Sequence, residues 1–257
     1  MLTPDAIIRQ PGAGPAASEN TLGFPPTNFT ILNPDTHVAI GRSVYRADQT
    51  PDGATLYGVN RFFDHQLDIE TSHLESGSPG QGPKLLDFDH TFYKADGSLL
   101  IRGYLDLKSG AATCIDNTSG QNRTQATVLS IPHDTWAGAS IAAPIQNFLR
   151  EGEQGKTRSL HVFSCAPAPE IFAVTVAMDP RETMWPPYGA QALGVEIRPD
   201  FGLINPFIAS FVPKLHAWFD PSDGWALVGD EAARWYKGPR VMLVKTRDGA
   251  GAPPQSK

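Results

Sequence analysis

The sequence predicts an all-β domain with one small helical insertion, and three observations carry that expectation. The last quarter, Phe211 to Arg247, contains three short apolar runs at Lys214–Phe219, Trp225–Gly229 and Arg240–Lys245. The first two are joined by Asp-Pro-Ser-Asp-Gly, where Pro and Gly supply the backbone angles of a tight reversal. Runs this short fit strands better than helices, so the end of the chain reads as an antiparallel meander. Leu85–Tyr93 and Ser98–Leu107 flank Lys-Ala-Asp-Gly, the clearest hairpin signal in the chain. Finally, 24 glycines and 23 prolines in 257 residues provide the many turns that short strands require.

Taken in order, residues 1–36 are rich in Pro, Gly and Ala without periodicity and read as an extended N-terminal arm. The β domain is expected over 37–247. His37–Arg46 and Ala54–Phe63 form a hairpin around a polar linker, and His65–Leu74 is a third strand. Ser76–Pro83 is a loop. After the Lys-Ala-Asp-Gly hairpin, Ala111–Asp116 and Thr124–Ile131 surround another turn. Trp136, Ile141, Ile145, Phe148 and Leu149 then recur at helical spacing. Pro144 suits a first turn, which places the helix at about 142–151, with Gly152 ending it. Arg158–Ser164, Glu170–Met178 and Ala192–Arg198 complete the strands before the meander. The tail, 248–257, reads as disordered.

Composition narrows the function classes. The net charge of −6 and the lack of any Lys/Arg cluster argue against a nucleic-acid partner. No apolar stretch reaches the 18 or so residues of a membrane-spanning helix. The start of the chain lacks the pattern of a signal peptide, so a cytoplasmic protein and an exported one with its leader removed both fit. Cys114 and Cys165 are an even pair: one disulfide outside the cell, or two free thiols in the cytosol.

The element order, together with "LREGE" at Leu149–Glu153, Pro213, Trp218-Phe219-Asp220 and Gly238-Pro239, resembles a bacterial envelope family of unknown function. That family is similar in fold to the lipoprotein carriers LolA and LolB. The resemblance implies a strongly curved antiparallel sheet, an open half-barrel with a helix packed against its concave face. It also implies a periplasmic or secreted location and a lipid-like or other hydrophobic small molecule as partner. No cofactor is implied, and the oligomeric state stays open.

Candidate chemistry is sparse. The best metal candidates are His65, His73 and His90, close to Asp64, Asp68, Asp87 and Asp89. The strand period of two puts His65, Leu67, Ile69, Thr71 and His73 on one face and Asp68 and Glu70 on the other. On the next strand Leu86, Phe88, His90 and Phe92 share a face opposite Asp87 and Asp89. His90 is therefore expected to meet His65 or His73 with the carboxylates turned away, which leaves too few convergent ligands for zinc. Ser140 in Gly-Ala-Ser-Ile-Ala faintly echoes a nucleophile elbow, but no parallel-strand pattern precedes it, and a helix-capping role fits better. Cys165 has no adjacent base to activate it. Asp230/Glu231 and Glu151/Glu153 read as solvated turns.

The aromatic inventory points elsewhere. Trp136, Trp185, Trp218, Trp225 and Trp235 crowd the second half of the chain with Phe201, Phe207 and Phe211. Core packing accounts for such a set, and so does the wall of an apolar cavity left by a curved sheet. In the cavity reading Phe201–Val212 is a lid, with Trp218 beside it and His90, Arg102 and Tyr104 as the polar groups. Three functions follow: non-catalytic binding of a hydrophobic molecule, an enzyme using His90 with Asp or Tyr partners in the same cavity, and a structural or interaction protein.

Overall fold

The computed structural model describes residues 27–77, 82–152, 157–165, 167–179, 192–200, 215–235 and 238–246. These form one open, curved sheet. In chain order its strands are β1 (Thr27–Leu32), β2 (Ala39–Thr50), β3 (Gly53–Phe62), β4 (Leu67–Glu75) and β5 (Lys84–Tyr93). Next come β6 (Leu99–Asp106), β7 (Ala111–Asp116), β8 (Arg123–Val128) and β9 (Thr135–Trp136). After one helix, α1 (Ala142–Arg150), follow β10 (Thr157–Cys165), β11 (Pro169–Asp179) and β12 (Leu193–Pro199). The last are β13 (Leu215–Asp220), β14 (Ala226–Ala233) and β15 (Arg240–Lys245).

Spatial order runs β8-β7-β6-β5-β4-β3-β2-β1-β15-β14-β13-β12-β11-β10-β9. Every pairing is antiparallel except β9 with β10, where Trp136 lies beside Val162. Two elements differ from the sequence expectation. Residues 27–32 belong to a strand held between β2 and β15, not to an arm. The alternation of Phe29 and Ile31, both buried, is short and follows a Pro-rich stretch, which hides it from periodicity. Trp136, which shares the helical spacing in the sequence, sits on an unexpected short strand, β9, while the helix spans Ala142–Arg150 as expected. Residues 33–36 of the expected arm form the turn between β1 and β2, and residues 1–26, the expected tail and the 201–212 segment lie outside the described residues.

Curvature brings the two flanks of the sheet together, and Cys114 on β7 is disulfide-bonded to Cys165 on β10 (Cα–Cα 5.6 Å). The helix lies in the resulting concavity. A short 3-10 segment, Gly138–Ile141, leads into α1, and Ile145, Phe148 and Leu149 are each 1% exposed. Pro144 falls in the first turn, where its missing N–H costs nothing. The helix ends at Arg150, and Gly152, just past the cap Glu151, takes a left-handed φ of 68° that is cheap for glycine.

Among the described residues the core has three clusters, two of them on the inner face and one, around Trp218, on the other. One inner cluster joins α1 to Leu56, Phe88, Leu105 and Phe163. The second inner cluster gathers Phe29, Ile31, Phe62, Phe92, Ile101 and Leu243. Phe88 and Phe92, two turns of the pleat apart on β5, belong one to each. Between them on the same face sits His90.

Candidate functional site

Register places a polar row across the inner face. Tyr45 is paired with Gly58, Gly58 with Glu70, Glu70 with His90, His90 with Gly103, and Gly103 with Cys114. One pleat step away runs Ser43, Asn60, Asp68 and Phe92. Directly paired residues of adjacent strands share a face, so Tyr45, Glu70, His90, Asn60 and Asp68 all project into the concavity.

The glycines of this row make room. A Cβ on Gly58 would come 2.6 Å from Cε1 of Tyr45, and one on Gly103 would come 3.1 Å from Sγ of Cys165. Gly58→Ala is therefore expected to displace the Tyr45 ring and cost about 1–3 kcal/mol, as overpacking does; chemical denaturation of the variant checks it.

His90 Nε2 lies 2.6 Å from Asp68 Oδ1, and Asn60 Nδ2 donates to Asp68 Oδ2 at 2.8 Å. Burial alone pulls the imidazole toward neutrality, but the charge and hydrogen bond of Asp68 outweigh it and raise His90 to about 9. At neutral pH the imidazole is therefore held protonated against Asp68. Glu70 Oε1 accepts from the Ala139 amide at 2.6 Å, where the 3-10 segment meets the sheet. Burial pushes Glu70 up to about 7 against the pull of His90 and that amide. Asp230, on β14, is likewise raised to about 7 by burial and by the charge of Glu231. Its own charge helps raise both Glu70 and Tyr45. Tyr45 is shifted well upward, by burial first and then by Glu70, Asp230 and Asp68.

These groups are enclosed but not sealed. The His90 side chain keeps 23% of its accessible surface and that of Asp68 keeps 13%. A partly exposed polar layer thus lies between two apolar clusters.

Several sequence expectations are corrected here. Alternation within each strand holds, but the faces mate in the other phase. Glu70 pairs with His90, so the carboxylates converge on it and His65 and His73 do not. His73 bonds Asp87 at 2.6 Å on the outer face, and His65 occupies the β3–β4 turn with a left-handed φ of 66°. Among the described residues no three His, Cys, Asp or Glu are arranged to hold a metal ion. Arg102 and Tyr104 also lie on the outer face, where Arg102 grips Asp89 with two hydrogen bonds. Trp218 faces away from Asp230 and packs with Leu32, Val228 and Met242. Of the expected ligand-binding set, then, His90 alone among the described residues points into the concavity. Phe201, Phe207 and Phe211 lie outside the described residues. Ser140 is fully buried; its Oγ accepts from the Ala137 amide, as a capping residue does, and donates to the Ala137 carbonyl. Asp230, read as a turn residue, is an inward strand position.

No helix among the described residues is long and apolar enough to cross a membrane. No family model matches the chain, and no curated protein does. Among solved structures it is similar to a crystal structure described as a β-barrel-like protein of the domain of unknown function DUF1849 from Brucella abortus. Identity is 12%, over 86% of this chain and 95% of the other, with a TM-score of 0.46. That description names neither LolA nor LolB, and no ligand or activity.

Proposed function

We propose that this protein binds a hydrophobic small molecule, without transforming it, inside the concavity of its sheet. The observation that supports this reading is the accessible polar layer at Asp68, Glu70 and His90, held between two aromatic-walled apolar clusters. Apolar walls with a few convergent polar groups are the ordinary composition of a small-molecule site. An envelope or extracellular location belongs to the same proposal, since a Cys114–Cys165 disulfide persists in an oxidising compartment.

The test is native mass spectrometry of protein purified without detergent, followed by organic extraction. A discrete added mass of lipid or small-molecule size is expected. An apo mass that stays unchanged after incubation with mixed lipids would remove the proposal.

The His90–Asp68 hydrogen bond favours a second reading, acid–base chemistry on a small hydrophobic substrate. Glu70 and Asp230, both near 7, hold or release protons at neutral pH. An activity abolished by His90→Gln and kept by His73→Gln would establish it.

A further inference from the structure

The two ends of the sheet are not alike. At one end β9 is two residues long, too short to template another strand. At the other, β8 (Arg123–Val128) is six residues long and every one of them is exposed, Val128 at 75%. Natural sheets protect such an edge with lysine, proline, a bulge or a covering element. β8 reads Arg-Thr-Gln-Ala-Thr-Val, with neither lysine nor proline, and its pairing with β7 is unbroken. Among the described residues no strand pairs with its far side.

Register fixes what that edge offers. Leu129 donates its amide to the Gly110 carbonyl, and bonded pairs recur at every second residue of an antiparallel ladder. Thr127, Gln125 and Arg123, opposite Ala112, Cys114 and Asp116, therefore give their backbone groups to β7. Thr124, Ala126 and Val128 aim theirs the other way, three amides and three carbonyls in one row.

The row is complementary to itself. Turned about a two-fold axis beside Ala126, a second β8 sets Ala126 against Ala126 and Thr124 against Val128. In that register every outward amide meets an outward carbonyl, and the small Ala126 side chains leave room at the axis. Gln125 then stands beside Thr127 on the inner face, and Thr124 covers the exposed Val128 on the outer one. Arg123, the one charge of the strand, falls opposite Leu129. The two copies of Arg123 stand about 20 Å apart, well beyond the screening length at physiological salt.

We infer that this protein forms a two-fold dimer by joining its β8 edge to that of a second copy, so that both chains share one continuous sheet. The short β9 edges lie at the outer ends, so growth stops at two. The inference is independent of what the concavity holds.

The experiment is sedimentation equilibrium on the full chain over about 1–500 µM, with residue-resolved hydrogen exchange at both extremes. A dimer with a dissociation constant of about 1–100 µM is expected, since one short ladder is smaller than a standard interface. In the dimer the amides of Thr124, Ala126 and Val128 should exchange more slowly, while those of Gln125 and Thr127, already bonded to β7, should not change. Ala126→Pro removes an amide that β7 does not use, and Ala126→Lys sets two ammonium groups together at the axis. Each should weaken association at least about tenfold, whereas Leu86→Lys, at an exposed position of β5, should leave it unchanged. A dimer without slowed exchange at 124, 126 and 128 would overturn the β8 assignment. So would a monomer in which these amides are slow at every concentration, because the chain itself would then cover the edge. A monomer in which they are fast throughout would overturn the second copy as occupant and leave the edge to a strand of another protein. The exchange comparison needs no variant, so a poorly folding substitution cannot decide it.

Discussion

Replacing Cys114 and Cys165 together by serine is expected to destabilise the protein by about 4 kcal/mol, the chain-entropy value for a crosslink spanning 51 residues. The bond joins β7 near one flank of the sheet to β10 near the other. Without it the unfolded chain regains its freedom, and the folded chain loses the clasp that keeps the concavity shut. The effect should therefore exceed a uniform loss of stability. Guanidinium unfolding of the serine variant against the oxidised parent measures the total, and a drop in melting temperature of about 10 °C corresponds to it for a domain of this size. Hydrogen exchange should show the additional loss concentrated in β6–β8 and β10–β11. An unchanged unfolding midpoint would show that the flanks hold together without the crosslink.

Asp68→Ala is expected to cost about 3 kcal/mol at pH 7, because it leaves His90 enclosed without its counter-ion and Asn60 Nδ2 without its acceptor. The cost should depend on pH with a definite sign. His90, raised to about 9 in the folded protein, contributes stability that is complete below its ordinary value of 6.5 and fades as pH rises through 9. Glu70 and Asp230 act in the same direction. Each retains in the fold, up to about pH 7, a proton that the unfolded chain releases near 4, so stability falls as pH climbs between those values. The parent protein should thus melt higher at pH 5 than at pH 9. In Asp68→Ala the decline above pH 6.5 should be much reduced, since His90 no longer gains from its partner. Thermal melts across pH 4–9 read both effects. A parent whose stability rises from pH 5 to 9 would contradict the charge assignment of the whole cluster.

Most strand positions were legible because turns and alternation are local. Hairpins such as 84–93 with 99–106 announce themselves within twenty or so residues. The phase between neighbouring strands is not local. It was decided by the β4–β5 register, which pairs Glu70 with His90 and carries a bulge after His73. That single step moves Asp68 and Glu70 from the far face to the near one and takes His65 and His73 away. Asp230 was hidden for a related reason. Beside Glu231 it reads as a solvated pair, and only the β13–β14 pairing with Ala217 assigns the two acids to opposite faces. The glycines that admit Tyr45 and Cys165 carry no signal at all without partners across the ladder.

The seat of β1 between β2 and β15 has a consequence for how this molecule is made. On a ribosome the chain emerges from its amino end, so β2 to β8 can pair successively as hairpins while β1 shows one bare edge. That edge waits for residues 240–245, more than two hundred positions later, before it is satisfied. A nascent chain stalled anywhere between carries a row of open amides and carbonyls flanked by the apolar Phe29 and Ile31. Truncation just short of β15 would therefore not yield a smaller folded piece but a sticky one, since among the described strands it is β15 that makes β1 safe.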